Sequence, residues 1–83
     1  MQEPRSVVVY SRKGCHLCDT AKEQLRLASQ RSNFELEEID IDSDPDLVAQ
    51  YNEEVPVIAI NGRKAFKYYV SEEALVKKLK EQE

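Results

Sequence analysis

Apolar side chains along this 83-residue chain fall into two rhythms, unbroken runs and rows spaced three and four apart. The run Ser6-Val7-Val8-Val9-Tyr10-Ser11 is short, continuous and β-branched, the pattern of a central strand covered on both faces. From residue 16 to about residue 31 good helix formers follow without Gly or Pro. Cys18, Ala21, Leu25 and Ala28 recur there at helical spacing, so one face of that helix points inward. Phe34, Leu36, Ile39 and Ile41 stand among acids in a segment that reads as a strand, with its alternation broken between Leu36 and Ile39 and its register open.

Asp44-Pro45 combines a capping side chain with proline at the first helical position, predicting a short helix that buries Leu47 and Tyr51 and ends near Asn52. Val57-Ile58-Ala59-Ile60 is a further strand. Asn61-Gly62 after it signals a two-residue hairpin, because both turn positions need positive φ, and an antiparallel strand over residues 63–66 follows. Ser71 caps a last helix with Glu72 and Glu73 at its positive end, Leu75 and Leu79 inward, and Lys77, Lys78 and Lys80 near its negative end. The order is βαβαββα. A strand-helix-strand crossover is right-handed and parallel, and the hairpin adds an antiparallel edge. The expectation is an α/β protein with a mixed four-stranded sheet flanked by three helices, the minimal thioredoxin topology, with residues 1–83 forming a single domain.

Composition narrows the function. A chain this short buries only about 60% of its unfolded surface, so the core is thin. With 41% apolar and 34% charged residues it reads as globular, and a net charge of -4 with scattered Lys and Arg speaks against nucleic acid as partner. No stretch approaches the roughly 18 apolar residues of a membrane helix, and residues 1–6 lack the apolar centre of a signal peptide. The expected location is cytoplasmic, without membrane contact, and the expected state is a monomer.

In a reducing compartment a close cysteine pair points to redox chemistry or metal binding rather than to a structural staple. Cys15 and Cys18 bracket His16-Leu17 where the first strand hands over to the first helix. If the helix starts near His16, Cys15 is its N-cap, where unpaired N–H groups and the helix dipole stabilise a thiolate, and it is the exposed nucleophile. Cys18 heads the inward row and is the more buried, resolving thiol. Arg12, Lys13 and a protonated His16 are near enough in sequence to favour the Cys15 anion, His16 being equally readable as a plain surface residue. Leu17 reads as a packing or docking contact.

Other constellations are weaker. A zinc site needs four ligands, and His16 lies wedged between the cysteines, which leaves a metal or iron-sulfur cluster shared by two chains through Cys15 as the alternative. Asp40, Asp42, Asp44 and Asp46 alternate like a calcium loop, but counting from Asp42 the position that requires Gly holds Leu47, so solvated helix-capping acids explain the run. Tyr68-Tyr69 has no basic stripe around it and reads as packing.

Taken together, Val8-Val9-Tyr10-Ser11, Gly14-Cys15-His16-Leu17-Cys18 and Glu54-Val55-Pro56-Val57 resemble the glutaredoxin-like proteins of the thioredoxin superfamily, in particular a short branch with Leu before the second cysteine. The resemblance implies a cis Val55-Pro56 bond beside the cysteines, turning the Val55 backbone out to pair with an extended substrate or with glutathione. Lys13 matches a basic residue that such proteins place just before the motif, and Lys13, His16, Leu17, Val55 and Pro56 are the expected substrate-binding residues. Glu54 stands where glutathione-using relatives carry Thr, and Ala65-Phe66-Lys67-Tyr68-Tyr69 lacks their paired glycines. No tightly bound cofactor is implied. The expected activity is thiol-disulfide exchange through a Cys15-Cys18 redox-active disulfide, acting on protein or small-molecule disulfides. The reductant is either glutathione or a thioredoxin-reductase-type protein.

Overall fold

A computed structural model of the chain describes residues 5–81. Its elements run β1 (Arg5–Ser11), α1 (His16–Ser29), β2 (Phe34–Asp40), a single 3-10 turn (Ile41–Ser43), α2 (Pro45–Tyr51), β3 (Val57–Ile60), β4 (Arg63–Lys67) and α3 (Glu72–Glu81). The strands lie in the order β2-β1-β3-β4, with β1 parallel to β2 and the other neighbours antiparallel. This is the mixed thioredoxin-like sheet with three helices that the pattern predicts.

Side-chain alternation divides the core between the two faces. On one face Val7 and Val9 of β1 and Ile58 and Ile60 of β3 pack against Ala21, Leu25 and Ala28 of α1 and Leu75, Val76 and Leu79 of α3. Tyr10 points the other way and meets Tyr51 of α2, ring centroids 4.7 Å apart. Tyr51 gathers there with Ile41, Val55, Val57 and Cys18. Each fully buried Leu or Ile in these clusters stabilises the fold by about 1.5–3 kcal/mol relative to exposure.

Local chemistry sets the joints. Asp44 accepts the Asp46 N–H at 2.9 Å and caps α2 ahead of Pro45. Ser71 Oγ accepts the Ala74 N–H at 3.1 Å at the start of α3, and Gln24 of α1 reaches across to accept the Glu72 N–H at 2.9 Å, fixing one helix to the other. At the hairpin Asn61 and Gly62 take φ values of 51° and 83°, as a two-residue turn between twisted strands demands. Asn61 also exchanges hydrogen bonds with the Ser6 backbone at 2.8 and 3.0 Å, tying the turn to β1.

Three boundaries differ from the sequence pattern. The first helix stops at Ser29 rather than near residue 31, because the Gln30 and Arg31 amides bond three residues back and tighten the last turn. Ile41 leaves the strand and is buried in the 3-10 turn, while Leu36 on the edge strand β2 stays 44% exposed. β4 runs on to Lys67, one residue further, and its register slips between Ile58↔Phe66 and Ala59↔Lys64, leaving Ala65 as the extra residue of a bulge. The two outer strands carry opposite charge, Glu35, Glu37 and Glu38 on β2 against Arg63, Lys64 and Lys67 on β4.

Candidate active site

The loop from β1 to α1 turns at Gly14, whose φ of 78° suits a residue without a side chain. It delivers Cys15 to the N-cap of α1 in an extended conformation, φ -95° and ψ 107°. From there its Sγ accepts the N–H of Cys18 at 3.1 Å. The two sulfurs are joined in a disulfide, with Cα atoms 5.2 Å apart. Cys18 is fully buried beneath the first turn, whereas Cys15 keeps part of its surface open. The unequal access follows the sequence expectation.

Opposite the cysteines the chain passes from α2 into β3 through a cis Val55-Pro56 bond. The Val55 carbonyl oxygen lies 4.0 Å from Cys15 Sγ. Pro56 is sealed inside, and its own carbonyl accepts the Tyr68 N–H at 2.8 Å. Tyr68 takes a φ of 70° to make that contact, while the next amide, of Tyr69, bonds back to Lys67. A groove of about 510 Å³ runs between the two loops, with Lys13, Cys15, His16, Leu17, Glu53 and Val55 on its walls. Of the predicted site residues, Lys13, Cys15, His16, Leu17 and Val55 line this groove, while Cys18 and Pro56 are buried behind it.

Electrostatics distinguish the cations. Arg12 does not face Cys15 as a free charge: its guanidinium grips both carboxylate oxygens of Asp42, at 2.6 and 3.2 Å, and donates to the Asn52 carbonyl at 3.3 Å. The hydrogen bond to Asp42 raises the Arg12 pKa above its ordinary value. Lys13 and His16 stand exposed on the rim. Beside the cis bond, Glu54 pairs with Lys67 at 2.8 Å, and the hydrogen bond from Lys67 holds its carboxyl below the ordinary glutamate value. The Lys67 ammonium, raised by the same bond, also lies 5.2 Å from the Tyr68 ring centroid. The sequence reading missed both ion pairs, since 30 residues separate Arg12 from Asp42 and 13 separate Glu54 from Lys67.

The aspartate run behaves as helix and turn caps: Asp40 accepts the Asp42 N–H and Asp44 the Asp46 N–H, each at 2.9 Å. Among the described residues no group of three His, Cys, Asp or Glu is placed to hold a metal ion, and no helix is long and apolar enough to cross a membrane.

Residues 6–80 match the model of the glutaredoxin-like domain family DUF836. The chain belongs to this family. Within reach of the glutaredoxin-like domain is the uncharacterized protein Rv0508 of Mycobacterium tuberculosis, 31% identical over 80 residues that cover 90% of this chain and 81% of that one. Among solved structures, protein Ne2328 from Nitrosomonas europaea superposes with a TM-score of 0.79 at 36% identity, covering 94% of each chain. Protein XcR50 from X. campestris superposes with a TM-score of 0.76 at 30% identity, covering 90% of this chain and 96% of that one. Thioredoxin-2 of the malaria parasite reaches a TM-score of 0.76 at 18% identity over 98% of this chain and 85% of its own, a likeness of fold alone. The thioredoxin-like fold and the disulfide-forming pair suggest a redox function for this glutaredoxin-like domain.

Proposed function

We propose that this glutaredoxin-like domain is a thiol-disulfide oxidoreductase that cycles between a Cys15-Cys18 dithiol and disulfide. The observation that carries the reading is the unequal pair at the head of α1: an accessible sulfur capping the helix, and a buried sulfur one turn on. The Cys15 thiolate attacks one sulfur of a substrate disulfide, forming a mixed disulfide and releasing the other sulfur as a thiolate that takes up a proton. Cys18 then loses its proton and attacks Cys15, releasing the second substrate thiol and leaving the intramolecular disulfide. Two electrons pass to the substrate, and an external thiol reductant returns them.

Protein disulfides are the substrates favoured here. Val55 lines the groove beside Cys15, where its backbone can meet an extended chain, and Leu17, 36% exposed, offers an apolar contact beside the sulfur. Where glutathione-using relatives carry Thr this chain has Glu54, whose carboxylate is already paired with Lys67. A protein reductant of the thioredoxin-reductase type is therefore the preferred electron source, in a cytoplasmic setting. The test is turnover of a protein disulfide with NADPH, supplied in parallel through thioredoxin reductase and through glutathione with its reductase. Turnover in either assay, abolished by Cys15→Ser, supports the activity and names the reductant. No turnover in both overturns it.

A further inference from the structure

The two loops that form the groove belong to distant parts of the chain, and one side chain joins them. Arg12 lies three residues before Cys15. Its Nε and Nη2 hold the two oxygens of Asp42 at 3.2 and 2.6 Å, and its Nη1 donates to the carbonyl of Asn52 at 3.3 Å. Asn52 is the C-cap of α2, with φ 44° and ψ -109°, and starts the short passage to Val55 and the cis bond. We propose that Arg12 is a positioning residue, a clasp that sets the Cys15 loop against the Asn52–Val55 segment so that a disulfide-bearing chain meets both walls of the groove at once. This rests on the redox reading above.

The chemistry favours arginine for the role. A planar guanidinium satisfies a carboxylate with two parallel bonds and still has a donor for a third acceptor, which a lysine ammonium cannot do in that geometry. Surface ion pairs usually count for little, and bidentate geometry with a further backbone bond is the circumstance in which one does hold position. Asp42 itself sits in the 3-10 turn, and the Asp40 carboxylate accepts its N–H at 2.9 Å. The clasp therefore closes onto an ordered partner. With its charge committed to Asp42, Arg12 acts on where substrate lies rather than on the thiolate.

The test compares Arg12→Gln, Asp42→Asn, the double variant and Arg12→Lys with the parent, using a peptide disulfide as substrate and iodoacetamide as a probe that needs only Cys15. A clasp predicts that KM for the peptide rises roughly two- to fivefold in each single glutamine or asparagine variant, and no further in the double. The kcat and the pH profile of Cys15 alkylation stay unchanged, and Arg12→Lys restores only part of the KM. An altered alkylation profile in Arg12→Gln, or an unchanged KM in Asp42→Asn, overturns the proposal. If the parent reduces no disulfide, the oxidoreductase reading fails on the parent itself. The clasp is then judged by amide hydrogen exchange at Glu54, whose N–H donates to the Tyr51 carbonyl at 2.7 Å: faster exchange in both single variants supports it, and unchanged exchange overturns it.

Discussion

The Cys18 N–H reaches Cys15 Sγ across 3.1 Å, so the sulfur stands where a helix cap normally places an oxygen. A sulfur accepts hydrogen bonds poorly as thiol or disulfide and far better as thiolate. The same contact that starts α1 therefore strengthens when Cys15 ionises, and the dipole of α1, whose first turn carries only Asp19 as an acid, adds to it. The Val55 carbonyl at 4.0 Å works the other way, since an acceptor favours the protonated thiol. Two amide-derived groups thus bracket the sulfur with opposite preferences.

In the reduced protein, Cys15 is expected to alkylate at neutral pH at least about tenfold faster than Cys18, because only its sulfur is accessible at the helix start. Peptide mapping after brief labelling reads this directly. Equal labelling, or labelling of Cys18 first, would reverse the roles.

Cys18→Ser is expected to accumulate a mixed disulfide between Cys15 and its substrate, since attack proceeds but the displacing thiol is gone. Intact-mass analysis after incubation with a peptide disulfide shows the adduct. Release of product at the parent's rate through a dithiol cycle would contradict it.

Leu25 is completely buried between the sheet and α3, so Leu25→Ala should destabilise the fold by about 2–5 kcal/mol through lost burial and the cavity left behind. Leu36→Ala on the exposed face of β2 should stay within about 0.5 kcal/mol. Urea unfolding midpoints of both variants at constant m-value provide the comparison.

The Glu54–Lys67 pair gives a pH signature. The Glu54 carboxyl is held below its ordinary value of 4.5, so its contribution to stability is present above that value and is lost as pH falls through the depressed one. Lys67 is held above 10.5, so its share is present below that value and is lost as pH rises past it. Glu54→Gln should therefore be slightly less stable than the parent near neutrality and converge with it in strong acid and strong alkali. Thermal unfolding across pH measures this. A constant difference at every pH would show that the pair is not the cause.

Periodicity made the fold readable because single-residue chemistry sits at its joints: Asp44-Pro45 opens α2, Asn61-Gly62 turns the hairpin, Ser71 caps α3, and Cys18 shares a row with Ala21, Leu25 and Ala28. The segment with a broken alternation, residues 34–41, was legible as a strand but not in its limits, because Ile41 owes its burial to the turn after β2 and not to the strand pattern. The cis bond was legible only through resemblance, since Val-Pro in a sequence is trans far more often. Arg12 shows what pattern cannot supply: near Cys15 in sequence it looked like a charge for the thiolate, and tertiary contact turned it to Asp42 and Asn52. The Ala65 bulge and the positive φ of Tyr68 carry no glycine or other local signal, and both arise where β4 must fit against β3 and Pro56.

An open sheet of four strands has two borders where backbone groups could recruit another chain, the first step toward aggregation. Two copies meeting β2 to β2 would set Glu35, Glu37 and Glu38 against their own kind, and two meeting β4 to β4 would do the same with Arg63, Lys64 and Lys67. The mixed encounter that charge alone would invite must pair with β4, and there the extra residue at Ala65 interrupts the regular ladder a guest strand needs. The uneven edge that looked like an irregularity of the hairpin thus doubles as a guard for the borders of a small protein.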